Sequence, residues 1–423
     1  MTRRPPRRIV TAIGALLLGL VAAAPGWGSV GFDGGRTANS PTETTITPAA
    51  ARNLRVRWHT NLGRTGPPPV AAGGRVFALA NVGTESELRA FAGSNGGCST
   101  PGTCTPLWSV RQPTLSTLVV AGNRVQAGGE NFVHDIAFPI GPHFEYFGGS
   151  YDPVTGTRTG AAATYDHLSA VADGCVYGWT GAWYRSANYF YETLVRSSSG
   201  GSCTSTTVYS SGPTPSPFAV ARGQIYLLGG STVVVAPDAP DRCVLGLGCP
   251  DLWHAHLSAP AAVDAFPTVA RGRLFVPTLD GTINVFSTSG CGQPDCSPTY
   301  RLRAGTVHIG SLAVTDTRVF AASDDGKLYA FRPAGCGAAV CDATWMSNLG
   351  TPLHSPSVAG DVVYVPSDDG RVFTVDARGC GAKTCPALGS AATGARIRWA
   401  PVISAGRVYV LNDAGDLYAL GGG

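Results

Sequence analysis

The chain has 423 residues, with 31 lysines and arginines against 27 aspartates and glutamates, a formal net charge of +4 and 44% hydrophobic residues. That charge equals Arg3, Arg4, Arg7 and Arg8 at the N-terminus, so the remainder is close to neutral, which gives no support to nucleic-acid binding or capture by an anionic membrane. The 56 glycines and 31 prolines disfavour long helices, because these residues cost most inside helices and are needed at turns, and an all-β fold is expected.

The four arginines precede an apolar run from Ile9 to Ala24 that ends in Ala22-Ala23-Ala24. A basic start, a short apolar stretch and a small-residue end read as a secretory signal peptide over residues 1–28. The run is shorter than the roughly 20 residues that span a bilayer, so no membrane span is expected after cleavage. Arg7-Arg8 leave both the general and the twin-arginine export routes open. The mature protein is expected to be secreted, extracellular or associated with the cell envelope.

Leu54-Arg55-Val56-Arg57-Trp58 has strand character and no second strand nearby. Extended segments of one type then recur: GRVFALA (74–80), NRVQAGG (123–129), GCVYGWT (174–180), GQIYLLG (223–229), GRLFVPT (272–278), TRVFAAS (317–323), DVVYVPS (361–367) and GRVYVLN (406–412). Most follow a small turn and are rich in β-branched or aromatic residues, as strands are. In the last third, TLDGTINVF, SDDGKLYAF, SDDGRVFTV and NDAGDLYAL place Gly281, Gly326, Gly370 and Gly415 at intervals of 45, 44 and 45 residues. A unit of that length cannot bury both faces of a small sheet alone, so it must stack on copies of itself.

These segments predict an all-β, eight-bladed β-propeller of four-stranded antiparallel blades, a single domain over residues 29–423. The blades are expected at about 66–112, 113–163, 164–212, 213–260, 261–306, 307–351, 352–396 and 397–420. The last unit ends after three strands, so an N-terminal strand over 53–63 should complete it and close the ring, with residues 39–53 crossing the outside. In blade seven, residues 354–359 read as the inner strand, and Asp368-Asp369-Gly370 joins the second and third strands. Asp-Gly suits a tight hairpin turn, whereas a calcium loop would need roughly six to eight oxygen ligands.

Twelve cysteines fall as Cys98/Cys104, Cys175/Cys203, Cys243/Cys249, Cys291/Cys296, Cys336/Cys341 and Cys380/Cys385. Their even number, the secretion signal and the repeat-locked position predict six disulfides, local staples worth about 2 kcal/mol each. A structural zinc needs its ligands in one place, and these pairs sit one blade apart, so no metal is expected. His254 and His256 project to the same face of a strand, a spacing that can chelate a metal but that also suits a surface strand.

Residues 132–191 are rich in aromatic side chains, which serve either as blade core or as contact area for a partner. The stretch 179–185 is read as an exposed loop, with Trp179, Trp183 and Tyr184 as an interaction patch. At the start of each inner strand, alignment of the units points to a ligand-binding channel rim of Ser116, His167, Ser216, His354 and Trp399. His167 and His354 would face each other from blades three and seven, either toward a ligand or as caps of their own strands. No Gly-x-Ser-x-Gly elbow, His-Glu-x-x-His helix or phosphate loop stands out, and no catalytic residue is named.

SPSVAGDVVYVPSDDGRVFTVDARGCG and SLAVTDTRVFAASDDGKLYAFRPAGCG resemble the pyrroloquinoline quinone (PQQ)-like β-propeller repeat. NSPTETTITPAAARNLRVRWHTNLG resembles the segment that often precedes it, and residues 151–156 match the Asp-x-x-Thr-Gly turn of that repeat. The resemblance implies a choice of roles. The family includes quinone-dependent dehydrogenases, the barrel-assembly lipoprotein of the bacterial outer membrane and secreted propellers without catalysis. Its enzymes resemble one another in an adjacent Cys-Cys pair, acidic and amide calcium ligands, an Asp base and long insertions. No Cys-Cys dipeptide exists in this chain, and its units are close to minimal length. The expectation is therefore a monomeric, non-catalytic scaffold without cofactor that binds a protein or a cell-envelope glycan. The alternative is a PQQ- and calcium-dependent dehydrogenase acting on alcohols or sugars. Fold alone does not decide activity.

Overall fold

The computed structural model of the protein describes residues 29–422 apart from 30, 34, 64–65, 94–97, 99–101, 114, 134–142, 161–165, 174, 185–188, 199–205, 212–216, 239–249 and 263. For 130–133, 143–147, 166–169, 180–184, 189–193, 195–198 and 206–211 only the backbone is described. The signal-peptide expectation and the pairings of Cys203 and of Cys243 with Cys249 fall outside the described residues.

Among the described residues the strands form eight sheets, each built on an antiparallel set of four. The first strands of the sheets are Val70–Ala72, Thr117–Ala121, Asp166–Ala172, Phe218–Ala221, Thr268–Ala270, Ala313–Val314, Ser357–Ala359 and Val402–Ser404. Every extended segment singled out in the sequence becomes the second strand of one sheet. Both faces of a blade are covered by neighbours, so these strands bury all their side chains: Val362–Pro366 is buried at each of its five positions. Phe275, Val285 and Leu302 of blade five, for instance, pack in one cluster with Leu312, Val319 and Phe331 of blade six.

The last sheet takes its fourth strand from the N-terminus. Arg55–Asn61 pairs antiparallel with Asp416–Gly421, with Trp58 opposite Ala419 and Thr60 opposite Leu417. The inner strands of the first and last blades also touch.

The route to that strand begins differently from the expected one, at Asn39 and Ser40. Residues 35–40 do not run outside the sheets but along their innermost edges. Val269, Val314 and Val358 donate backbone N–H groups to the carbonyls of Gly35, Thr37 and Ala38 at 2.7, 2.8 and 2.9 Å. Asn39–Ser40 then pairs parallel with Ser357–Ala359. The reason is hydrogen-bond economy: an inner strand is a sheet edge, and its free N–H groups need acceptors. From there the chain passes outward by blades seven and eight. Glu43 accepts from Gly406 N, and Ala51 O of the short helix Pro48–Ala51 accepts from Thr374.

Four disulfides join Cys98 to Cys104, Cys291 to Cys296, Cys336 to Cys341 and Cys380 to Cys385, and Cys175 is also disulfide-bonded. They belong to an oxidising, non-cytoplasmic environment. The bridges are local, as expected, but the loops they close do more than brace themselves. The loops of the four described bridges lie against the outer strand of the preceding blade: Cys104, Cys296 and Cys385 donate backbone N–H groups to His59, His254 and Met346, and residues 340–342 pair parallel with Tyr300–Arg303. The loops thereby cap outer edges that would otherwise offer free backbone groups. Glycine is required beside them, because a Cβ on Gly379 would sit 2.7 Å from the Trp345 ring of the preceding blade. No described helix is long and apolar enough to cross a membrane.

Candidate functional site at the channel mouth

The repeated turn, Ser-Asp-Asp-Gly in blades six and seven, assigns its two acids to different tasks. In blade seven, Ser367 donates to Arg371 O at 2.8 Å and to Asp369, so the second aspartate is consumed in building the turn. Gly370 completes it at φ +77°, where a Cβ would meet Ala395 O at 2.7 Å. The first aspartate is left to face the start of the inner strands. Asp324, Asp368 and Asp413 occupy this position in blades six to eight.

Opposite them stand bases from the segments leading into the inner strands. His308 Nε2 lies 3.0 Å from Asp264 Oδ1, and its Nδ1 lies 3.2 Å from Asp324 Oδ2. His354 Nε2 lies 2.7 Å from Asp368 Oδ1. Arg396 and Arg398 donate through Nε to Asp413 at 2.7 and 2.8 Å, and Arg396 Nε is 3.8 Å from Asp368. Acids and bases thus alternate around the mouth from blade five to blade eight.

A histidine between two carboxylates holds its proton, since both ring nitrogens can donate only in the cation. The hydrogen bond to Asp264 and the nearby negative charges raise His308 to about 9, against the opposing effect of burial. Burial alone would raise Asp264, but the hydrogen bond and charge of His308 hold it below the usual carboxylate range.

Beneath this ladder is a cavity of about 360 Å³ lined by Arg36, Phe266, His354, Arg396, Arg398 and Trp399, among others. Its floor comes from the N-terminal segment. Arg36 is 2% exposed, donates through Nε to Phe218 O at 3.2 Å, and lies over the Phe266 ring at 4.5 Å from the centroid. Burial lowers its pKa to about 9, partly offset by Asp33, so it stays charged at neutral pH. Serines brace the wall: Phe266 N donates to Ser311 Oγ and Ser311 N to Ser355 Oγ, both at 3.0 Å.

Of the residues proposed for the rim, His354 and Trp399 line this cavity. His354 precedes the inner strand, which begins at Ser357 after Pro356, a residue with no N–H to donate. Ser116 lies just before Thr117–Ala121 and donates its backbone N–H to Gly128 O, but it does not line the cavity. His167 falls on Asp166–Ala172 with only its backbone described, and Ser216 falls outside the described residues.

The proposed aromatic patch is corrected at Trp179. Residues 175–184 form one long strand, not a rim loop, and Trp179 is completely buried with its ring edge-on to Phe218. A strand between two blades points alternate side chains into the interblade core, and Trp179 is one of these. The side chains of Trp183 and Tyr184 lie outside the described residues. His254 and His256 sit on the outer strand Trp253–His256, and among the described residues no three histidine, cysteine or acidic side chains are placed so that they could hold a metal ion.

Sequence reasoning missed His308, Asp264, Arg396, Arg398 and the first turn aspartates. For all but Asp264, the signal was the recurrence of an acid 14 to 17 residues after a histidine or arginine in blades six to eight.

Residues 297–422 match the PQQ-like repeat family whose model is described as outer membrane protein assembly factor BamB. Among solved structures, the quinohemoprotein alcohol dehydrogenase from Comamonas testosteroni is similar at a TM-score of 0.61 and 13% identity, covering 94% of this chain and 81% of that one. BamB from Moraxella catarrhalis is similar at a TM-score of 0.56 and 14% identity, covering 87% and 97%. The computationally designed Ika8 protein is similar at 0.55 and 13% identity, covering 87% and 98%. No curated protein matches the chain by sequence. At these identities the likeness establishes the propeller fold, which an enzyme, an assembly factor and a designed protein share.

Proposed function

We propose that this PQQ-like repeat β-propeller is a secreted, non-catalytic scaffold that binds a protein or a glycan at the cell envelope through its channel mouth. The observation that carries the reading is the ladder of paired charges. A general acid or base works when its pKa lies near the operating pH. His308 is instead held protonated to about 9, and its partner Asp264 is held ionised. What such a mouth offers is a fixed pattern of charge around a cavity walled in part by aromatic rings, with the partly exposed Trp399 available for stacking and Arg398 at the edge.

The dehydrogenase alternative needs a quinone and calcium, and the donor set does not suit them. Calcium wants several carboxylate or carbonyl oxygens free to coordinate. Asp264, Asp324, Asp368 and Asp413 each already face a histidine or arginine, which an ion would have to displace. The chain also lacks the adjacent cysteines that the resemblance would call for.

The test is retention of the protein by isolated cell envelope, compared between the wild type and a Trp399→Ala/Arg398→Gln variant that keeps its fold. Loss of retention in the variant is expected. Equal retention would move the binding surface elsewhere, and turnover of an alcohol or sugar with added PQQ and calcium would overturn the non-catalytic reading.

A further inference from the structure

The mouth forms where the inner strands begin, and the turns where they end form the opposite face. On that face, between blades five and six, turn residues 271–273 and 316–318 and residues 332–334 enclose a cleft of about 490 Å³. Arg271, Arg273, Arg318 and Arg332 line it, and Asp316 is the one acid among its lining residues. Arg271 reaches across to Asp316 at 2.6 Å, and the Arg273 guanidinium lies over the Tyr300 ring at 5.4 Å from the centroid. Arg318 donates through Nη1 to Thr317 O at 2.9 Å, while its Nε is buried with no hydrogen-bond partner. Arg222, from the equivalent turn of blade four, approaches from the side, its Nη1 being 3.7 Å from where a Cβ on Gly272 would stand.

Four guanidinium groups therefore share one lining carboxylate. Clustered like charges repel, and a buried N–H without an acceptor costs free energy, so the cleft lacks negative charge and acceptor oxygens together. A carboxylate would satisfy one guanidinium fork. Several forks converging from two blades suit a tetrahedral group whose oxygens can accept from more than one arginine. We infer that this cleft is a binding site for a phosphate- or sulfate-type oxyanion, favouring ligands with two or more adjacent charged groups. The site is independent of the proposed mouth function.

Isothermal titration of the folded, disulfide-bonded protein with tripolyphosphate at low salt tests this, with sedimentation on phosphatidylcholine vesicles with and without phosphatidic acid as a second arm. Tripolyphosphate should bind, and Kd should rise at least tenfold in Arg318→Gln/Arg332→Gln. Arg271→Gln/Arg332→Gln, which changes exposed side chains only, guards against misfolding and should weaken binding in the same direction. Arg75→Gln, in the matching turn of blade one, should leave Kd unchanged. Binding of tripolyphosphate alone assigns a soluble phosphate or sulfate ligand, and arginine-dependent sedimentation with phosphatidic acid assigns a lipid headgroup. No heat with tripolyphosphate, or one Kd shared by wild type and both double variants, would overturn the proposal.

Discussion

The two ends of the same inner strands treat charge in opposite ways. At the mouth, each of Asp264, Asp324, Asp368 and Asp413 stands within hydrogen-bond reach of a histidine or arginine. At the far end of blades five and six, four arginines line a cleft with one aspartate. The overall charge balance hides this polarity completely. A neutral chain can still present a self-satisfied face and an unsatisfied one, and the second is the one that needs something from outside.

The comparison can be broken most severely through the turns that aim the mouth acids. Gly370→Val forces a side chain into φ +77° and against Ala395 O, and should cost on the order of 3 kcal/mol in denaturant unfolding. Gly381→Ala, at φ +81° but with nothing within 4 Å, should cost only about 1 kcal/mol. Equal losses would mean that the close approach of the blade-to-blade loop does not constrain the turn.

Next in size is the ladder itself. His308→Ala leaves two half-exposed acids facing each other and should cost about 1 kcal/mol, reduced from the buried value by solvent screening. The pH dependence is the sharper readout. His308 binds its proton more tightly folded than unfolded, so its contribution is complete below its ordinary pKa of about 6.5 and is lost as pH rises to about 9. Asp264 contributes in the opposite sense, losing its share as pH falls through its lowered pKa. The thermal midpoint of His308→Gln should therefore be flatter than that of the wild type across the alkaline window.

The smallest effect is expected at the other end. Arg271→Gln removes one charge from an exposed pair and should change stability by less than about 0.5 kcal/mol. A loss as large as at His308 would show that the arginine face is structural rather than open to a ligand.

Much of the fold was legible because it depends on short-range pattern. Segments such as 361–367 announce themselves as buried strands, and Asp368-Asp369-Gly370 as a hairpin turn, without knowledge of any neighbour. The strand near Trp58 could be inferred from the missing fourth strand of the last blade. The route of residues 35–40 could not, because its partners Val269, Val314 and Val358 are more than 200 residues away. Nor could the ladder be read whole: His308 meets Asp324 within its own unit, but Asp264 comes from the preceding blade, 44 residues earlier. Trp179 was misjudged because aromatic content does not distinguish a loop from a long strand whose inward residues fill the space between blades.

The most direct test of the locked mouth is the titration of His308, followed through its imidazole resonances by nuclear magnetic resonance, with His308→Gln identifying the signal. The paired arrangement predicts a cation at neutral pH that titrates at about 9. A midpoint at the ordinary value of about 6.5 would contradict it and return a free base to the channel mouth.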